Sequence, residues 1–312
     1  MTEQAVSPTR PLHPAIKAGL VAGIALVSGY CYIGILKGLE HSAPLRFASL
    51  RVLVAGVTIL LAAMFFRQPL LPAPSRRVWV LPLGLFATAL TYAGMFLAPV
   101  YAGAGLASIL GNLQPLFVIM LAAIFLRERL TITKIGAVIL GIAGVTIIVL
   151  SGNSGGFVAM PGVPIAILTS SSAAIGTVLV RYLAPDGDWL ALAGWQLLTG
   201  GTMLLIASLL AGEPPIHWSP EFLRVLAFLA LAETALVTVI WFWLLRRTAA
   251  GPLALNLFFV PVVGLLLAVL IGGESLRPVA WLGSAVVLTG VGVGIWGELG
   301  KNRKTRPLDY ET

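Results

Sequence analysis

Residues 108–149 read SILGNLQPLFVIMLAAIFLRERLTITKIGAVILGIAGVTIIV, and residues 254–295 read ALNLFFVPVVGLLLAVLIGGESLRPVAWLGSAVVLTGVGVGI. Sliding the first stretch by 146 residues lays Pro115 on Pro261, Glu128 on Glu274, Leu130 on Leu276 and Gly144 on Gly290. Each copy is a Pro-containing apolar run, a short break with Glu and Leu, and a Gly-rich apolar run. Shared order at one offset marks an internal duplication. Runs of about 20 apolar residues are long enough to cross the hydrocarbon core of a bilayer as helices.

Working outward from this pair, apolar segments fall at 14–36, 48–66, 78–97, 103–126 and 132–150, then at 162–183, 189–210, 222–245, 252–271 and 279–296. The expected fold is an all-α integral membrane protein with ten transmembrane helices. Each half holds five spans, an odd number, so the second half must lie inverted in the membrane, giving a five-plus-five inverted repeat. That architecture places a substrate path between the halves of a transporter. The expected organisation is a cytoplasmic tail (1–13), a first repeat (14–150), a non-cytoplasmic linker (151–160), a second repeat (161–297) and a basic cytoplasmic tail (298–312).

Composition agrees. The chain is 58% hydrophobic and 10% charged, with mean hydropathy +0.98, against about 25% charged residues in soluble domains. Its net charge of +8 is spread over short loops, which argues against nucleic acid as a partner and for membrane insertion. Of the 20 Lys and Arg, 15 fall on the side of the N-terminus, and only Lys37, Arg46, Arg51, Arg224 and Arg277 fall on the other. By the positive-inside rule both termini are cytoplasmic. A missed or invented span would scramble this bias. Trp79, Trp189, Trp218, Trp281 and Trp296 stand at segment ends, as an interfacial belt requires.

The stretches LKGLEHSAPLRFASLRVLVAG (36–56), ASILGNLQPLFVIMLAAIFLRERLT (107–131) and FFVPVVGLLLAVLIGGESL (258–276) resemble the EamA family of the drug/metabolite transporter superfamily. The resemblance covers nearly the whole chain. It implies ten helices in two inverted halves around a central cavity, and alternating access for export or import of small organic molecules across a bacterial-type inner membrane; several members that look like this export amino acids or related metabolites. Glu233 departs from the family pattern, which usually has a small residue before the threonine at Thr234.

Glu233 is the sharpest individual signal. About 11 residues beyond Phe222 at roughly 1.5 Å each place it near the bilayer midplane, where an acid is costly and directed to a cavity or a partner. On a regular helix Glu233, Thr234, Thr238 and Trp241 share one surface. The carboxylate can serve a proton, making protons a candidate coupling ion, or a substrate ammonium; alternatively it is held in a structural ion pair. Arg51, inside the second span, can grip a substrate carboxylate or snorkel to the interface. Further candidates for the pathway are Ser108 and Asn112 in the fourth span, Thr88 and Tyr92 in the third, Ser172 in the sixth and Gln196 in the seventh. Such groups also bond helices to one another. Pro115 and Pro261 are candidate hinges.

Glu128 and Glu274 read as structural carboxylates at the N-terminal ends of the following spans. Gly19/Gly23 and Gly290/Gly294 permit close helix contact, within the chain or between copies. Cys31 reads as a small buried side chain. His13, His41 and His217 lie outside the helix interiors and far apart in sequence, so no metal site, cofactor site or catalytic constellation is expected, and an enzyme is disfavoured. A channel would show rings of charge or a filter segment. The expected partners are a small-molecule substrate and the lipid bilayer, and the sequence leaves the oligomeric state open.

Overall fold

The structure is a computed structural model that describes residues 14–98, 101, 113–151, 162–183, 187–260, 262–263, 266 and 278–304. Among these residues it is all-helical, without strands. The helices are α1 (Pro14–Leu39), α2 (Pro44–Phe65), α3 (Pro74–Ala98), α4 (Gln114–Phe125), α5 (Ile132–Ser151), α6 (Gly162–Leu183), α7 (Trp189–Leu210), α8 (Pro220–Arg247), α9 (Ala250–Leu255) and α10 (Pro278–Lys304). A 3-10 turn, Asn256–Phe258, continues α9. Six described helices are long and apolar enough to cross a membrane: Ala15–Leu39, Pro44–Phe65, Pro74–Ala98, Pro164–Leu183, Trp189–Leu210 and Pro220–Arg247. The chain is a multi-pass membrane protein.

Proline opens several of these helices, where its missing N–H would be unpaired in any case and its φ suits the first turn. Pro44, Pro74 and Pro220 stand in first turns, and at α8 the Ser219 hydroxyl also accepts the Phe222 N–H at 3.1 Å. Pro115 likewise lies in the first turn of the described α4. Pro261 lies outside the described residues.

Two helix pairs join the halves. α2 runs antiparallel to α7, with Leu60 against Gly194 and Leu53 against Gly201; a Cβ on Gly56 would lie 3.0 Å from Gly194 O. α5 runs antiparallel to α10, where a Cβ on Gly144 would come within 2.7 Å of Gly283 O and Val287 N, and one on Gly290 within 3.0 Å of Ala137 O. Gly144 and Gly290, matched by the 146-residue slide, are thus both used to bring these helices together. Gly294 packs against Leu255 and Ala137, whereas among the described residues a Cβ on Gly19 or Gly23 would meet nothing within 4 Å. Among the described residues close contact therefore belongs to the second glycine pair.

α3 and α8 each change gauge midway. Gly84–Leu90 and Phe228–Leu236 are π-helical. The slide that matches the prolines also carries Thr88–Ala89–Leu90 onto Thr234–Ala235–Leu236, so the two π-turns end at equivalent residues. Hydroxyls occupy the carbonyls that the wider turn leaves available: Thr91 Oγ1 donates to Phe86 O at 2.7 Å and Thr234 Oγ1 to Leu229 O at 2.8 Å, each five residues back. π-turns are rare and concentrate at functional sites.

Candidate substrate site

The π-turn of α8 places Glu233 and Thr234 against α2. Arg51 is ion-paired through Nη2 with Glu233, and its Nε donates to Thr234 Oγ1 at 2.8 Å. Its Nη1 donates to Cys31 Sγ on α1 at 3.5 Å. Tyr92 of α3 lies 5.1 Å from the guanidinium carbon and Phe96 lies 6.0 Å from it, within range of a cation–π attraction. Three helices therefore converge on a cation carried by a fourth. Arg51 is wholly buried and Glu233 keeps 11% of its side chain exposed.

This burial excludes snorkelling for Arg51. The residue lies two turns into α2, where neighbouring helices close over its stem, and among the described residues its acceptors belong to α8 and α1. Of the expected site residues, Arg51, Glu233, Thr234 and Tyr92 are brought together. Thr238, half-buried, lies one turn further along α8. Trp241 instead lines a crevice of about 10 Å³ with Val21, Ile24 and Asn256, between α1, α8 and α9. A surface spanning Glu233 to Trp241 assumed regular α-helical spacing, and the π-turn shifts that register. Thr88, Ser172 and Gln196 are buried elsewhere, around α3. Ser108, Asn112, Glu274 and His13 lie outside the described residues. Cys31, read as a packing residue, is in addition a ligand of Arg51, and nothing in the sequence near it signals that role.

Glu128 caps a different helix from the one expected. Its carboxylate accepts the Ala250 N–H at 2.7 Å and the Gly251 N–H at 3.2 Å, at the start of α9, and lies 3.8 Å from Lys134 Nζ. Arg127 has φ 53°, and Glu128 N–H returns to Ala122 O at 3.1 Å. This left-handed turn ends α4 and aims Glu128 at the other half of the chain. The residue matched to Arg127 by the slide is Gly273, the type such a position favours.

Two of the histidines, far apart in sequence, are neighbours in space. His41 and His217 stack at 5.8 Å with rings 12° apart, and the His217 N–H donates to His41 O at 2.9 Å. Distance in sequence hid this contact, because the α1–α2 and α7–α8 connections meet at one end of the bundle. Among the described residues no group of three or more His, Cys, Asp or Glu could hold a metal ion.

The pattern of the EamA-like transporter family matches the chain twice, over residues 15–150 and 160–295. The chain belongs to this family. Similar proteins include a "Probable amino-acid metabolite efflux pump" of Salmonella typhimurium, 28% identical over 285 residues, covering 88% of this chain and 93% of that protein. They also include the "Uncharacterized inner membrane transporter YedA" of Escherichia coli, 29% identical with 88% of each chain covered. A solved crystal structure superposes with a TM-score of 0.79 at 19% identity, covering 94% of this chain and all of the other; this likeness shows the fold alone. In this EamA-like transporter the Arg51 cluster sets one guanidinium against one carboxylate.

Proposed function

We propose that this EamA-like transporter is a secondary carrier that exports amino acids or closely related metabolites across a bacterial-type inner membrane by alternating access. The observation that carries the reading is the Arg51–Glu233 pair, which joins α2 of the first half to α8 of the second across the plane where the halves meet. An amino acid carries one carboxylate and one ammonium. Inserted into the pair, its carboxylate takes the guanidinium and its ammonium takes Glu233. The resting pair closes again once the substrate has left. The printed name of the Salmonella relative supports amino-acid metabolites as the class.

Ten spans in a five-plus-five inverted repeat, bounded at 14–150 and 161–297, fit the double family match. Antiparallel packing of α2 on α7 and of α5 on α10 supports the inversion, because equivalent helices of inverted halves run in opposite directions. The bias of Lys and Arg supports cytoplasmic termini. Glu233 is the more accessible partner of the pair, so a proton from the pathway reaches it first. A neutral Glu233 frees Arg51 for an anion that lacks an ammonium, and transport of such an anion is proton-linked.

Flux in proteoliposomes over a panel of amino acids and their deaminated analogues, with and without a pH gradient, tests this. Amino-acid flux is expected to be insensitive to the gradient and flux of the 2-hydroxy-acid analogues to depend on it. Glu233→Gln transporting amino acids at the wild-type rate would sink the assignment.

A further inference from the structure

The counterpart of the Arg51 cluster under the internal repeat is built from other groups. Arg51 is the eighth residue of α2 and Gln196 the eighth of α7, two helices of 22 residues each. Thr88 is the counterpart of Thr234, and Ala87 that of Glu233. A Cβ on Gly176 would lie 2.5 Å from Ala87 Cβ, and one on Gly200 would lie 2.3 Å from Thr88 Cβ. Helices α6 and α7 therefore both meet α3 at its π-turn. Ser172 lies one turn along α6 from Gly176, toward Thr169, which abuts Gly94 of α3. Gln196 lies one turn along α7 from Gly200.

Thr88, Ser172 and Gln196 are 0%, 1% and 3% exposed. Yet Thr88 Oγ1, Ser172 Oγ and Gln196 Oε1 meet no hydrogen-bond partner among the described residues. Their neighbours behave differently. Thr169 and Thr177 on α6 return their hydroxyls to the carbonyls of Ile165 and Ala173 at 2.7 and 3.0 Å, and Thr199 on α7 bonds Trp195 O at 2.9 Å. Buried polar atoms are seldom left unpaired, because each forfeits its hydration. Three of them lie on the three helices that meet at this π-turn, Ser172 on its Gly94 side and Gln196 on its Val80 side, and call for partners that the described residues do not supply. Tyr92, four residues beyond Thr88 on α3, faces the Arg51 guanidinium, so Thr88 is offset from the Arg51 cluster by about 6 Å along that helix. A side chain can cover this distance from an amino-acid head group.

We propose that Thr88, Ser172 and Gln196 form the subsite for the substrate's side chain and select a neutral hydrogen-bonding group, a hydroxyl or a carboxamide. The inference rests on the head-group role given to Arg51 and Glu233 above. Gln196 Oε1 accepts from the ligand, and the two hydroxyls donate to it or accept from it. In this conformation the glycine contacts close the junction, and loading it requires α3 to part from α6 and α7.

The test is counterflow by the full-length protein in liposomes, comparing threonine with its isostere valine, and glutamine with methionine of similar length. The wild type is expected to favour the polar member of each pair by about tenfold, the worth of one well-made hydrogen bond. Thr88→Val and Gln196→Leu should bring these ratios toward one with no fall in melting temperature, while Arg51→Gln should abolish flux of all four. Ratios unchanged in the variants, or unchanged ratios with a lower melting temperature, would assign these side chains to helix packing and overturn the subsite. Wild-type flux without a polar preference overturns the subsite alone. Wild-type protein that moves no amino acid overturns the head-group reading with it.

Discussion

The guanidinium of Arg51 is ion-paired with Glu233 and has no solvent-exposed surface, while the carboxylate keeps a small exposed edge. Losing either leaves the other charge buried without its partner, and a broken buried pair costs roughly 3–5 kcal/mol. Arg51→Met and Glu233→Met are each expected to lower the melting temperature of the detergent-purified protein strongly. The double variant is expected to recover most of that loss, and thermal unfolding of the four proteins in a double-mutant cycle checks it.

Thr234 serves two elements at once, giving its proton to Leu229 O and accepting from Arg51 Nε. Thr234→Val leaves a buried guanidinium N–H without an acceptor, a loss of about 1.5–3 kcal/mol for a bond to a charged group. Thr234→Ser keeps the oxygen and should stay within about 0.5 kcal/mol of the wild type. Thermal melts of the two variants side by side read the difference.

Gly144 and Gly290 hold α5 against α10 through contacts in which a Cβ would strike backbone atoms. Backbone cannot turn aside as a flexible side chain can, so Gly144→Ala and Gly290→Ala should each destabilise by about 1–3 kcal/mol through overpacking. Gly136 on α5 is a matched control, because among the described residues a Cβ there meets nothing within 4 Å. Gly136→Ala should be neutral or stabilising by up to about 1 kcal/mol from helix propensity. Melting temperatures that fall equally for all three would contradict the packing described for this interface.

Glu128 joins the end of α4 to the start of α9 by accepting two backbone N–H groups. Glu128→Gln keeps the shape, removes the charge that the helix terminus and Lys134 favour, and should cost about 1–2 kcal/mol. The Glu128 and Lys134 side chains are only 14% and 8% exposed, so the difference should persist at high salt, where exposed pairs are screened. Melts at low and high ionic strength measure both parts.

Much of the Arg51 cluster was legible from the chain. Ionisable residues are rare inside apolar runs, and that rarity alone singles out Arg51 and Glu233. Thr234 and Tyr92 stand out as polar groups on the neighbouring helical faces. Cys31 does not, since a buried thiol looks the same in one dimension whether or not it meets a guanidinium. The stacking of His41 on His217 was likewise hidden, as was the reach of Glu128 to α9. Each joins segments more than 100 residues apart, and sequence distance says nothing about which loops meet at the end of a bundle.

By itself the sequence determined the membrane class and the duplication, because hydropathy and repetition are properties of the chain read in order, and lipid demands long apolar helices whatever their neighbours are. The tertiary structure decided the rest. The π-turns turn Thr88 and Thr234 off the register that a regular helix assigns, Arg51 is buried instead of snorkelling, and Gly144 and Gly290 become contacts between halves. These outcomes depend on how closely helices approach one another. That distance is set by side chains from two places in the chain at once, and no single stretch of residues carries it.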